Sequence, residues 1–323
     1  MNFRAFVTVS TDKTRHENNW NIPPIGVENC LIKITHCGLN FADLLMIKGT
    51  YQETPSRPFV PGMEICGEVV EVGSKVKRVK VGDRIAAFCG HGGLAEYASI
   101  AASRCIVLPD TMPSETAAAF QIAYGTSHLA LSRRARLQAG ETLVVLGASG
   151  GVGLTAVEIG HAIGARVIGV ARGAEKRAIA ERAGAHVTLD AEMDDLRNAL
   201  KEVGPVHVVY DAVGGSLGEA ALRALTPEGR FMVIGFASGD APKPKLNHLL
   251  VKNIDVIGFY WGGYLGFDPE TLCASLSELI TWHAEGRLEP HISQVLPFEQ
   301  VEDGLEMLRN RSATGKVVIE IKP

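Results

Sequence analysis

The chain has 323 residues, 46% of them apolar, with 32 Lys and Arg against 36 Asp and Glu for a formal charge of -4. That length fits about two domains with separate cores, and the apolar content excludes disorder as the main state. The basic run Lys75, Lys77, Arg78 and Lys80 is too short to neutralise a stretch of duplex phosphates, which excludes DNA as a partner.

In chain order, the opening MNFRAFVTVS alternates like a strand and carries Arg4 where a secretory signal would have its apolar segment. No stretch approaches the roughly 18 consecutive apolar residues that cross a bilayer, so no membrane helix is expected. Both readings predict a cytoplasmic protein. The segments LIKITHCG (31–38), GEVVEVGS (67–74) and GDRIAAF (82–88) alternate in polarity between Gly and Pro punctuation, the texture of an antiparallel barrel. LPDTMPSET (108–116) reads as a hinge, with Pro113 and Glu115 suited to a first helical turn. Short apolar runs at 143–146, 167–170, 187–189, 206–210, 231–234 and 254–258 then alternate with helical patterns, which predicts a doubly wound parallel sheet. Two amphipathic helices near 271–285 and 300–309 and a strand at 317–321 do not extend that series, so they are expected to return to the first domain. The predicted division is 1–118 for the first part of a barrel domain, 119–260 for a nucleotide domain and 261–323 for the returning part. The cysteines, Cys30, Cys37, Cys66, Cys89, Cys105 and Cys273, form no C-x-x-C pair and read as small buried hydrophobes rather than a disulfide framework.

The central region opens on a strand that runs into Gly147, Ala148, Ser149, Gly150, Gly151, Val152 and Gly153, followed by helical spacing at Val152, Ala156, Ile159 and Ile163. A glycine turn lets backbone approach a pyrophosphate, and the helix N-terminus supplies unpaired N–H groups and partial positive charge. Ala148 departs from the usual first glycine. About 20 residues beyond Gly150, where an NAD-binding domain places an acid for the ribose hydroxyls, the chain has Arg172, then Lys176 and Arg177. Cations there suit a 2'-phosphate, so NADPH is favoured over NADH.

Several segments together resemble the medium-chain dehydrogenase/reductase superfamily, and within it the zinc-free, zeta-crystallin-like quinone oxidoreductases. They are Gly38, Asn40 and Asp43 in GLNFADLLMIKGTY; PGMEICGEVVEVGSKV (61–76) before GDRI (82–85); AYGTSHLAL (123–131); GASGGVG; YDAVGG (210–215); and LLVKNIDVIGFYWGGY (249–264). The resemblance implies an α/β fold, a Rossmann doubly wound parallel sheet plus a GroES-like antiparallel β-barrel catalytic domain. Zinc-dependent relatives carry Cys where this chain has Asn40 and His where it has Met63, and amide and thioether are poor zinc ligands. Their structural-zinc cysteines are missing too, since only Cys89 and His91 follow the GDRI segment closely. No metal is therefore expected. Without a Lewis acid, the substrate must already accept hydride readily, as quinones and enones do.

Carried over residue by residue, Asn40 falls near the nicotinamide ribose, and Tyr51 lines the active cleft, where its phenol can hydrogen-bond a substrate oxygen or give it a proton. These two are the catalytic candidates. Ser149, Gly150, Gly151 and Val152 fall at the pyrophosphate, Thr126 beside the pyrophosphate or the nicotinamide, and Arg172 and Lys176 at the 2'-phosphate. Gly235, Phe236, Phe259 and Trp261 resemble the wall around the nicotinamide, and Arg311 and Lys316 a cation near the cofactor. The expected activity is NADPH-dependent reduction of quinones or α,β-unsaturated carbonyls by hydride transfer. The alternatives are an enoyl- or acryloyl-CoA reductase, and an NADPH-binding protein of low turnover with a structural or RNA-binding role. The 254–258 strand closes the series at an exposed edge, and the resemblance implies a homodimer pairing such edges.

Overall fold

A computed structural model describes residues 2–21 and 24–321. The chain divides into a first unit, Met1–Ile122 with His291–Pro323, and a second unit, Ala123–Pro290. The first unit contains β1 (Asn2–Ser10), β2 (Lys13–Asn21), β3 (Asn29–Gly38), β4 (Glu64–Val72), β5 (Arg84–Phe88), β6 (Tyr97–Ala101) and β7 (Cys105–Val107). The second contains β8 (Thr142–Leu146), β9 (Arg166–Ala171), β10 (Val187–Asp190), β11 (Val206–Asp211), β12 (Leu225–Val233) and β13 (Asp255–Gly258), after which β14 (Ile292–Pro297) and β15 (Lys316–Glu320) rejoin the first.

In the first unit, β1 and β2 form an antiparallel pair beside a seven-stranded sheet of order β14-β15-β3-β4-β5-β7, with β6 on β3. β3 is the organising strand. Its one edge pairs with β4 throughout, while the other pairs with β6 over its first half and β15 over its last three residues. The alternation seen in the sequence places Cys30, Ile32 and Ile34 in the core, each fully buried. Burying such a side chain contributes about 1.5–3 kcal/mol, and a one-residue slip would turn the whole set to water. The ladder is antiparallel as expected except at β14–β15, which is parallel. The helix Val301–Arg309 between those two strands supplies the crossover that parallel pairing requires.

The second unit is a six-stranded parallel sheet of order β10-β9-β8-β11-β12-β13. All five residues of β8 are buried, because helices cover both faces of a central parallel strand. Strand order reverses between β8 and β11, the switch point at which open α/β sheets bind ligands. All six expected strands are present. β12 begins at Leu225 rather than 231, because Thr-Pro-Glu-Gly, which reads as a turn, is absorbed as a register shift with Glu228 at φ +61°.

The division differs from the expected one at both joins. The first unit runs to Ile122, and the return begins at His291 rather than 261. The helix Pro269–Ala284 stays with the second unit, where buried Ser275 bonds His128 Nδ1 at 2.8 Å, Trp282 packs edge-on against the same ring, and Asp268 pairs with Arg133. Among the described residues no helix is long and apolar enough to cross a membrane.

Candidate functional site

The turn after β8 is built by backbone constraints. Gly147 takes φ +74°, its N–H and that of Ala148 both donate to Val170 O at 3.0 Å, and the Gly150 N–H closes the turn on Gly147 O. A Cβ on Gly153 would stand 2.0 Å from Gly147 O, so only glycine lets the helix Gly151–Ile163 pack onto its own approach. Leu154 donates the first helical bond, to Gly150 O at 2.8 Å. The amides of Gly151, Val152 and Gly153 precede it and point out of the helix N-terminus, the arrangement that accepts an anion. Ser149 is buried beside them.

Of the other residues expected to hold a dinucleotide in this unit, Arg172, Gly235, Phe236, Phe259 and Trp261 follow the carboxyl ends of the same parallel strands, while Lys176 and Thr126 lie on helices. Arg172 follows β9 and pairs with Glu192 at 3.0 Å; both are exposed, so the pair contributes about 0–1 kcal/mol and is cheaply exchanged for a ligand anion. Lys176, half-buried, lies one turn into the helix Gly173–Arg182. Gly235 and Phe236 follow β12, with the Gly235 N–H on Asp211 O and the Phe236 ring half-exposed. After β13, Phe259 packs against Tyr264, whereas Trp261 is buried and so close to Gly125 that a Cβ there would meet its indole nitrogen at 2.6 Å. Thr126 follows Gly125 and is buried; its neighbour Ser127 bonds Val152 O, Thr155 and Tyr210, which ties this helix to the glycine turn and to β11. Asp211, which ends β11, explains the YDAVGG motif: its buried carboxylate accepts from the Val213 and Gly214 amides at 2.8 Å. Burial raises its pKa against the pull of those two amides.

The first unit gathers a different set. β15, β3 and β4 are adjacent, so Lys316, Gly38 with Asn40 beyond it, and Glu64 converge at one end of the sheet. Lys316 is buried, and its ammonium donates to Leu39 O at 2.7 Å, Asn40 Oδ1 at 2.6 Å and Glu64 Oε1 at 2.8 Å. Asn40 spends its amide hydrogens on Gly38 O and Glu64 Oε1, so its role is to hold this network rather than to donate outward. Glu64 Oε2 accepts from the Ile122 amide. Asp43, fully buried, accepts from the Asn40 and Gly62 amides; burial pushes its carboxyl up to about 6 although those amides pull it down. Arg311, expected near the cofactor like Lys316, is exposed, with left-handed backbone at φ +60°.

Tyr51 lines a pocket of about 410 Å³ in this unit with Met46, Met63, Cys89, His91 and Arg104 among its walls. Met63 and Cys89 meet there because the Cys89 N–H donates to Met63 O. The Cys89 thiol bonds Gly62 O at 3.3 Å, and burial pushes its pKa up, which keeps it protonated and unreactive.

Residues 26–110 match the alcohol dehydrogenase GroES-like domain, and residues 151–281 match the family described as zinc-binding dehydrogenase. The quinone oxidoreductase-like protein 2 homolog of Nematostella vectensis is 38% identical over 95% of this chain and 85% of its own length. The chain belongs to the medium-chain dehydrogenase/reductase family, on its quinone oxidoreductase-like branch. Among solved members, the Escherichia coli quinone oxidoreductase complexed with NADPH superposes with a TM-score of 0.89 at 27% identity over 99% of both chains. The Thermus thermophilus quinone oxidoreductase, solved alone and with NADPH, gives 0.87 at 30% identity over 98% of this chain and 99% of that one.

The zinc that one family description implies can be tested on this chain's own donors. At Asn40, Met63 and Glu64 it offers an amide, a thioether and one carboxylate, and the Lys316 ammonium already sits 2.8 Å from that carboxylate. Among the described residues no three His, Cys, Asp or Glu side chains are grouped to hold a metal ion. These residues do not fit zinc. Glu64 was the residue the sequence reading passed over; its signal is its place directly after Met63, in the slot that zinc relatives use. Arg104 has no comparable signal.

Proposed function

We propose that this reductase binds NADPH on the 147–153 turn and reduces quinones or α,β-unsaturated carbonyl compounds by hydride transfer, with no metal. The observation that carries the reading is the turn itself: a glycine-only approach, open first-turn amides, and a sheet switch point, with cations rather than an acid following β9. The relatives solved with NADPH support it. Bound NADPH supplies the hydride; the chain's own groups bind and orient. Arg172 and Lys176 pair with the 2'-phosphate, and the Gly151 to Gly153 amides take the pyrophosphate. Phe236 and Phe259 border the nicotinamide. Asn40 and Lys316 act from within the barrel unit by fixing the end of its sheet. Tyr51 donates its phenolic hydrogen to the substrate oxygen that gains electron density, either as a hydrogen bond or by proton transfer. The active form is a homodimer. The helix Leu246–Lys252, which leads into the edge strand β13, supports this, because Leu246, Leu250 and Val251 are 75–78% exposed, a patch that favours a partner surface.

The test is oxidation of NADPH and of NADH with 1,4-naphthoquinone, crotonaldehyde and acryloyl-CoA. NADPH-dependent turnover of the quinone or the enal is expected. Preference for acryloyl-CoA would favour thioester reduction, and tight NADPH binding with background rates throughout would favour a non-catalytic role.

A further inference from the structure

One wall of the Tyr51 pocket holds a cation that the proposed hydride transfer does not use. Arg104 ends the short turn Ala102–Arg104 leading into β7 and lines the pocket with Tyr51, Met63, Cys89, Gly90 and His91. Its Nη1 lies 3.9 Å from where a Cβ on Gly90 would stand, which sets the guanidinium against the loop that carries His91. Arg104 is half-buried, yet among the described residues no carboxylate or carbonyl engages its guanidinium. Arg4 and Arg230, by contrast, meet Glu96 at 2.9 Å and Glu141 at 2.6 Å. Glu53, the one carboxylate on the pocket lining, is exposed and makes no ion pair with Arg104.

A half-buried guanidinium with no protein acceptor leaves its N–H donors open to a ligand anion. Its planar fork matches a carboxylate through two parallel N–H bonds. His91 beside it is pushed below its ordinary pKa by desolvation and by the Arg104 charge, so it stays neutral and adds hydrogen-bonding capacity without competing charge. The pocket thus offers a phenol for a carbonyl oxygen and a guanidinium for an anion, with a neutral imidazole beside them.

We infer that Arg104 is a specificity-determining residue that pairs with a carboxylate on the substrate, so that the preferred substrates are enones or quinones bearing an acidic group. This rests on the reductase reading above. The test compares (E)-4-oxo-2-pentenoate with its methyl ester, which share the reacting skeleton and differ in the charge. Arg104→Gln is expected to lower the ratio of kcat/KM for the acid to that for the ester by about tenfold to a hundredfold, the range of a charge-assisted pair. Arg104→Lys should keep part of the ratio, and thermal melting establishes that both variants are folded. A ratio that Arg104→Gln leaves unchanged overturns the inference, including the case in which both rates fall together, as a structural or oxyanion-stabilising role would require. Failure to reduce either compound or 1,4-naphthoquinone would instead sink the reductase reading. Calorimetric titration of 4-oxo-2-pentenoate then decides Arg104 alone: binding to wild type that Arg104→Gln abolishes supports it, and equal or absent binding refutes it.

Discussion

Lys316 holds three oxygens of the barrel unit in one arrangement, and the carboxylate of Glu64 depends on it for charge balance. Removing one partner of a buried ion pair leaves an uncompensated charge, at a cost of about 3–5 kcal/mol. Lys316→Met is therefore expected to lose that much unfolding free energy in urea, and adding Glu64→Gln should recover part of it. A double variant no more stable than the single would show that the charge is not what matters. Asp43 gives a pH signature. Its carboxyl, raised by burial to about 6 from 3.8, takes up a proton in the native state before the unfolded chain does. It therefore contributes stability that is fully present below about pH 4 and is lost as pH rises through about 6. Wild type should gain on the order of 2 kcal/mol over Asp43→Asn between about pH 7.5 and pH 4.5, and a pH-independent difference would contradict this. Asn40 and Asp43 were legible as a motif. Their union with Lys316 was not, because 276 residues separate Asn40 from it and no spacing rule spans that distance.

Among elements, the strand, turn and helix around 147–153 were legible because each residue choice is forced locally: four consecutive buried apolar positions, Leu143 to Leu146, a left-handed glycine and a glycine that must touch backbone. Gly153→Ala tests this. The added methyl would have to displace Gly147 O or the helix, at about 1–3 kcal/mol, and the NADPH dissociation constant should rise at least tenfold, measured by fluorescence titration. Unaltered affinity would mean that the turn does not hold the phosphates. The helix Pro269–Ala284 was legible as a helix but not as part of the second unit. An amphipathic pattern says that one face is buried and is silent about which core buries it. The parallel β14–β15 pair was missed because β14 itself was not expected: Ile292–Pro297 is a short, half-exposed strand with no buried apolar run to mark it.

The proposed homodimer rests on exposed apolar residues of the helix that leads into the edge strand β13. Leu250→Glu, at a side chain 77% exposed, should leave the fold intact and shift the protein toward monomer in sedimentation velocity. An unchanged dimer would place the interface elsewhere. The two-unit organisation was legible from the change of texture, alternating strands first and buried parallel runs later, and the family relationship accounts for the return of the C-terminal strands.

If the proposed reaction is right, the chain's own residues and NADPH suffice for it. That sufficiency is tested most directly by the rate of NADPH oxidation with 1,4-naphthoquinone after exhaustive chelation, with zinc content determined on the same sample. A full rate is expected at zinc far below one ion per chain. A rate that vanishes on chelation and returns in proportion to added zinc would contradict it.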